Sequence, residues 1–309
     1  MARPGIQKHL DIAHLLRCPL CGGALQAREA SLACDNRHDF TISAKGFANL
    51  IPQQAPLKGY DEAFFTSRQR VMKAGFYRDL NRALTETLAS LELPARPVIV
   101  DAGCGEGSHL KSLGDAFSRP VCSTFPAQAL KAGGSGPISE KACERPEATL
   151  IGIDIVKEAV RCAARGGGPE RWLVADLANM PLQDHCADVI LNVFTPANYA
   201  EFSRVLTLNG TLIKVVPAKN HMRELRELAG QRLSHVEAQD HGVAEHLSRH
   251  MKVISRSRVT QTSPVTPELA EDLARMSPVT FGLDAAELKL EKLDQITVDA
   301  EIICAKKAN

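Results

Sequence analysis

Ten residues, Val98-Ile-Val-Asp-Ala-Gly-Cys-Gly-Glu-Gly107, restrict the fold of this chain more than any other stretch. The apolar, mostly β-branched opening predicts a buried strand, and Asp101 closes it. Gly103, Gly105 and Gly107 then form a turn in which backbone approaches a ligand closely. From Ser108 the sequence continues as a helix whose free N–H groups face the same ligand. Glycine turns of this kind serve several nucleotide-like ligands, so the later segments have to discriminate. Leu150-Ile-Gly-Ile-Asp154 and Trp172-Leu-Val-Ala-Asp176 read as the next strands. Ala187 to Phe194 is a fourth, followed by a helix over Tyr199 to Leu206, a turn at Asn209-Gly210 and a strand from Thr211 to Val216. A lone Asp at a strand end is as readily a helix N-cap. Asp101, Asp154 and Asp176 in succession instead predict a ligand along the carboxyl edge of a doubly wound, mostly parallel sheet.

With 309 residues, 44% of them hydrophobic, the chain is long enough for one sizeable α/β domain and a small appended module. Lys+Arg 37 against Asp+Glu 36 leaves a net charge of +1, so no global field draws it to nucleic acid or membrane. Any nucleic-acid binding must come from local patches. The absence of an apolar run of about 18 residues or a secretory leader predicts a cytoplasmic protein without a membrane partner. Between the glycine turn and Asp154, the stretch Gly114–Ala148 is rich in Gly, Pro, Ser and Ala and includes Cys122 and Cys143. It reads as a loop inserted at about 115–148.

The appended module is legible from its cysteines. Cys18-Pro-Leu-Cys21 is followed, after twelve intervening residues, by Cys34-Asp-Asn-Arg-His38. Two turns presenting Cys18, Cys21, Cys34 and His38 close a tetrahedral Zn2+ site with no position left for water, which makes the metal structural. So short a segment builds little core, and metal binding at roughly 10–16 kcal/mol supplies its folding energy. Phe40, Ile42, Phe47, Leu50 and Ile51 predict a β-ribbon completing a module over 1–56, with Pro52–Pro56 as linker to a domain over 57–309. Residues 61–91 read as helical, with Arg68, Arg70, Lys73, Arg78 and Arg82 among Phe64, Phe65, Phe76 and Tyr77. Two readings stand: a surface binding RNA phosphates with aromatics for stacking, or an amphipathic cap on the sheet with solvated charges. After His221, a helix over Arg223 to Leu233, a further helix over Phe281 to Leu293 and a strand over Ile296 to Cys304 are expected. His235, His241, His246 and His250 lack a thiolate or carboxylate framework and read as solvated.

Asp101-Ala-Gly-Cys-Gly, with its acidic residue directly before the first glycine, resembles motif I of the S-adenosylmethionine-dependent methyltransferases with a Rossmann-like, class I fold, whose sheet ends in an antiparallel strand. On that resemblance the cofactor set is Asp101, Gly103, Gly105, Glu106, Gly107, Asp154, Ile155, Asp176, Leu177 and Asn192. Asp154 would accept from the ribose hydroxyls, and Asp176, with Leu177 beside the ring, from the adenine amine. The loop after the fourth strand, Asn192-Val-Phe-Thr-Pro196, has neither the Pro-Pro-aromatic pattern of exocyclic-amine methylation nor a cysteine for cytosine C5. A ring nitrogen, an oxygen or a small-molecule acceptor remains.

The assembled features resemble one family, the 23S ribosomal RNA guanine-N1 methyltransferases of the RlmA type. The carriers are the N-terminal zinc ribbon, Lys45-Gly-Phe-Ala-Asn-Leu-Ile-Pro52, Arg68 with Gly75-Phe-Tyr77, the motif I turn, Gly152-Ile-Asp154, Phe194-Thr-Pro196, Pro217 with His221-Met-Arg-Glu-Leu225, and Met276-Ser-Pro278. The resemblance implies methylation of guanosine N1 in a 23S rRNA hairpin, a zinc module that grips RNA, and a homodimer. The expected RNA contacts are Arg68, Arg70, Lys73, Tyr77 and Arg78, and the candidate groups for assisting loss of the N1 proton are His221 and Glu201. Two other readings stand beside this one: a methyltransferase of a small molecule, and an RNA-binding adaptor whose methyltransferase domain only senses cofactor. Basic residues in 68–82 and 214–226 favour RNA over the former, and the intact Asp101, Asp154 and Asp176 set argues against the latter.

Overall fold

A parallel strand buried on both faces must be almost wholly aliphatic, and the runs singled out above meet that requirement. A computed structural model of the protein describes residues 3–51, 57–118, 148–230, 240–281, 283 and 288–308. The linker at Pro52–Pro56, most of the inserted loop with Cys122 and Cys143, and His235 lie outside the described residues.

The N-terminal strands are β1 (Gln26–Ala27), β2 (Ser31–Ala33), β3 (Asp39–Ser43) and β4 (Phe47–Asn49). The central ones are β5 (Val98–Ala102), β6 (Thr149–Asp154), β7 (Arg171–Val174), β8 (Ala187–Val193) and β9 (Leu206–Pro217). The last two are β10 (Met251–Pro264) and β11 (Gln295–Lys307). Among the described residues they form one 11-stranded sheet in the order β1-β2-β3-β4-β7-β6-β5-β8-β9-β11-β10. From β4 to β9 every neighbour is parallel, and β11 returns antiparallel against β9 and β10. The order reverses between β5 and β8, which places a crevice at the carboxyl ends of those two strands.

The helices are α1 (Pro4–Leu10), α2 (Glu62–Lys73), α3 (Arg78–Ala89), α4 (Ser108–Ser118), α5 (Lys157–Arg165), α6 (Tyr199–Val205), α7 (Arg223–Ala229), α8 (Asp240–His250) and α9 (Pro267–Arg275). One side of the sheet packs Ile99, Leu191 and Ile213 with Phe65, Val71, Leu80 and Leu84 from α2 and α3. The other packs Val100, Ile151, Ile190 and Leu212 with Phe202 of α6 and with Leu16, Leu32 and Phe40 of the zinc module. The zinc module is thus built into the sheet: β4 pairs with β7 through Phe47, Ala48 and Asn49, and its apolar residues cover one face.

Several expectations shift. The helix expected over 61–91 is divided at Gly75, whose φ of 87° turns the chain between α2 and α3. The turn expected at Asn209-Gly210 is part of the continuous strand β9. A helix lies at Pro267–Arg275, where Thr266 caps it; of the helix expected over Phe281 to Leu293, residues 282 and 284–287 lie outside the described residues, and Leu290–Lys292 forms a short 3-10 turn. The long edge strand β10 was not anticipated, because its outer face is polar and exposed and carries no aliphatic run.

Two glycines make room for the indole of Trp172, which is fully buried. A Cβ on Gly152 would lie 2.3 Å from its ring, and one on Gly107 2.5 Å. Gly152→Ala therefore overpacks the core and is expected to cost about 1–3 kcal/mol. Thermal denaturation should show a Tm lower by roughly 3–10 °C.

Candidate cofactor site and metal centre

The carboxyl ends of β5 and β6 converge on the glycine turn. The amides of Gly103 and Cys104 both donate to Ile153 O, at 2.8 and 2.9 Å, which folds the turn back against β6. Asp154 then locks it: one carboxylate oxygen accepts from Gly105 N and the other from Val156 N, each at 2.8 Å. Gly103, Gly105 and Gly107 have φ of 88°, 54° and 82°, backbone that side-chain-bearing residues rarely adopt. A Cβ on Gly103 would also strike the Thr195 side chain at 2.3 Å, so the turn and the loop after β8 are in direct contact.

Asp101 is 1% exposed, and neither of its carboxylate oxygens has a hydrogen-bond partner. Burial, with Asp154 and Glu106 beside it, pushes its carboxyl up to about 8. Glu106 is equally buried; one oxygen accepts from Arg68 Nε at 2.7 Å and the other has no partner. A buried carboxylate without a donor is costly unless a ligand completes it. The arrangement suits a ligand bearing positive charge.

Asn192 is fully buried: its amide donates to Ala102 O at 2.6 Å and its oxygen accepts from Lys214 Nζ at 2.5 Å. Lys214 also donates to Thr195 O, and burial lowers its ammonium to about 8. This pair ties the ends of β5, β8 and β9 together. Beyond it Phe194 adopts a φ of 52°, uncommon for a bulky residue, and its ring lies 4.8 Å from that of His221 and 6.2 Å from that of Tyr77. Nδ1 of His221 is engaged by the Asp299 backbone, which leaves Nε2 as the nitrogen available to a ligand. Burial brings this imidazole down to about 4, so it is neutral at physiological pH. Asp176 is exposed and accepts from Ala178 N at 2.8 Å, while Ile155 and Leu177 are half-buried.

Among the expected RNA contacts, Arg68 points into the glycine turn at Glu106, with its guanidinium 5.9 Å from the centre of the Tyr77 ring, and Tyr77 itself is buried. Arg70 makes a two-pronged contact with Asp272 that fastens α2 to α9, whereas Lys73 and Arg78 remain exposed. Glu201 accepts from Met180 N at 2.8 Å and from both Nε and Nη2 of Arg204, so its lone pairs are taken up in holding the segment before β8. Phe194, Lys214 and Arg204 were not anticipated as site residues. A lysine inside Leu212-Ile-Lys-Val-Val216 was the available signal, since a cation in a central parallel strand must be buried and paired.

The metal centre is preformed. Cys18 Sγ and Cys34 Sγ each lie 3.4 Å from His38 Nδ1, and Cys21 Sγ is 3.6 Å from Cys34 Sγ. A zinc tetrahedron with Zn–S of about 2.3 Å and Zn–N of about 2.0 Å has edges of roughly 3.5–3.8 Å, so the four ligands fit that ion. Gly22 (φ 74°) and Arg37 (φ 64°) supply the left-handed turns in the two knuckles.

The comparisons with known proteins agree with this geometry. A family model for the RlmA N-terminal zinc ribbon matches residues 16–56, and one for a methyltransferase domain matches residues 130–213. A Bacillus subtilis (strain 168) protein, provisionally named a 23S rRNA (guanine-N(1)-)-methyltransferase, is 30% identical over 95% of this chain and 97% of its own length. The chain belongs to the RlmA-type family. A Micromonospora griseorubida protein with the same provisional name is 30% identical over 96% of this chain and 98% of its own length. The 23S rRNA (guanine(748)-N(1))-methyltransferase of Streptomyces fradiae is 28% identical over 90% of each chain. Membership brings S-adenosylmethionine to the methyltransferase domain and zinc to the Cys3His cluster, and the residues present fit both. Among the described residues no helix is long and apolar enough to cross a membrane.

Replacing Cys34 by Ser removes one thiolate from the tetrahedron. Metal analysis of Cys34→Ser should show well under one zinc per chain, and limited proteolysis should cut first within residues 16–51.

Proposed function

We propose that this protein transfers the methyl group of S-adenosylmethionine to N1 of a guanosine in 23S rRNA. The observation that carries the reading is the orphaned, buried carboxylate of Asp101 at the mouth of a glycine turn, in a chain whose full-length relatives bear that activity in their names. When bound, S-adenosylmethionine supplies an electrophilic methyl group on a sulfonium. The protein's part is to hold donor and acceptor in line.

On this reading Asp101 and Glu106 face the cationic methionine end, and Arg68 donates to one oxygen of the buried Glu106 at 2.7 Å. Both oxygens of Asp154 bind backbone amides and retain further lone pairs for the ribose hydroxyls. Asp176 keeps one oxygen for the adenine amine, and Ile155 and Leu177 flank the ring. Asn192 acts indirectly: with Lys214 it sets the spacing between the turn and the loop that begins at Phe194.

On the acceptor side, Phe194 and His221 form the wall against which a base can stack. An imidazole held near 4 is too weak a base to be matched to proton removal at neutral pH, so His221 orients the guanine, and proximity supplies most of the acceleration. Exposed Lys73 and Arg78 on the neighbouring helices are the candidates for phosphate contact, a term that salt would screen steeply.

Three outcomes follow. Mass mapping of 23S rRNA from a deletion strain should lose one methyl group on guanine; an unchanged pattern would move the acceptor to a small molecule. The pH profile of kcat/KM should show no inflection near the ordinary histidine pKa of about 6.5, and His221→Ala should lower kcat/KM while His221→Asn restores part of it. Asp101 is largely protonated in the free protein below about 8, and a bound cation favours its ionised form. Affinity for S-adenosylmethionine should therefore rise as pH increases towards 8 and level off above, with proton release at pH 7 visible by calorimetry in buffers of different ionisation enthalpy.

A further inference from the structure

The segment between β7 and β8 carries Asp176 and Leu177, yet from residue 175 to 186 it belongs to no helix and no extended strand. Its backbone must find partners elsewhere. It finds them on two sides. From α6, Glu201 accepts from Met180 N, and Arg204 donates to Met180 O and Leu182 O. From the zinc module, the chain at 15–19 runs antiparallel beside residues 179–183: Leu16 bridges Leu182, Arg17 N donates to Pro181 O, and Gln183 N donates to Leu15 O.

The side chains extend this contact to the metal knuckle itself. Asn179 Nδ2 donates at 2.9 Å to the carbonyl of Pro19, which lies between the ligands Cys18 and Cys21. Arg17, adjacent to Cys18, donates at 3.0 Å to Asn179 Oδ1 and at 3.3 Å to Met180 O, and lies 3.6 Å from Glu201. Asn179 in turn donates its backbone N–H to Asp176 O at 3.2 Å. One continuous chain of hydrogen bonds thus runs from the first zinc knuckle to Asp176.

We infer that zinc occupancy and S-adenosylmethionine binding are positively coupled through Asn179 and Arg17, which act as positioning residues for the loop that holds the adenine. The inference rests on the reading of Asp176 and Leu177 as the adenine subsite. The metal fixes the Cys18–Cys21 turn, the turn fixes Pro19 O and Arg17, and these fix the segment that bears Asp176. Coupling of binding free energies is reciprocal, so a ligand on the adenine subsite must tighten zinc to the same degree. The zinc module then serves the cofactor as well as any RNA contact.

The test uses the full-length, zinc-loaded protein and S-adenosylhomocysteine as probe. Zinc affinity is measured by competition with a chromogenic chelator, with and without saturating probe, while calorimetry reports probe binding independently. In the wild type the probe should raise zinc affinity roughly five-fold or more. In Asn179→Ala, which removes an exposed side chain, the probe should still bind but leave zinc affinity nearly unchanged. Unchanged zinc affinity in a wild type that binds the probe would overturn the inference and leave the cofactor site standing. Coupling that persists undiminished in Asn179→Ala would overturn the assigned route. Absence of probe binding to the wild type would remove the cofactor reading, and the inference with it.

Discussion

Three carboxylates, those of Asp101, Glu106 and Asp154, crowd the carboxyl ends of β5 and β6, and Arg68 bonds to only one of them. Nearly everything around the crevice follows from that imbalance. Asp154 is held by two backbone amides, which shapes the glycine turn, while Asp101 is left without a donor. Helix α2 lies over the turn and sends Arg68 inward, where its guanidinium meets Glu106 beside the glycine turn. A binding site that keeps a carboxylate buried and unpaired is destabilising by itself, and a cationic ligand relieves it.

The zinc module is structurally continuous with the methyltransferase sheet. Pairing of β4 with β7 extends the parallel array beyond its usual edge, and Leu16, Leu32 and Phe40 cover a face that other members of this architecture cover with helices. Metal binding, which supplies the order a short segment cannot obtain from its own core, is thereby felt across the sheet edge and at the segment carrying Asp176.

The loop after β8 depends on a different device. Lys214, in the interior of β9, can stay charged in an aliphatic strand only because Asn192 and Thr195 present oxygens to it. Those contacts draw the loop after β8 against Gly103 and set Phe194 in a backbone conformation that a bulky residue seldom takes. Strain of this kind persists where the surroundings over-determine it, commonly at functional positions.

The local patterns were legible in the chain. Aliphatic runs ending in Asp101, Asp154 and Asp176 specified parallel strands and their polarity, because a doubly buried strand tolerates little else. The spacing of Cys18, Cys21, Cys34 and His38 specified a closed metal site, because zinc fixes its own geometry. Long-range pairing was not legible. Which carboxylate meets Arg68, whether Glu201 is free or held by Arg204, and that Asn179 reaches Pro19 all depend on contacts between residues distant in sequence. The edge strand β10 was hidden for a related reason: with one face in water and its backbone paired on one side only, it needs no aliphatic run. Sequence periodicity records what each segment buries; only the tertiary structure decided which polar groups are brought together, and that neither carboxylate oxygen of Asp101 meets a partner.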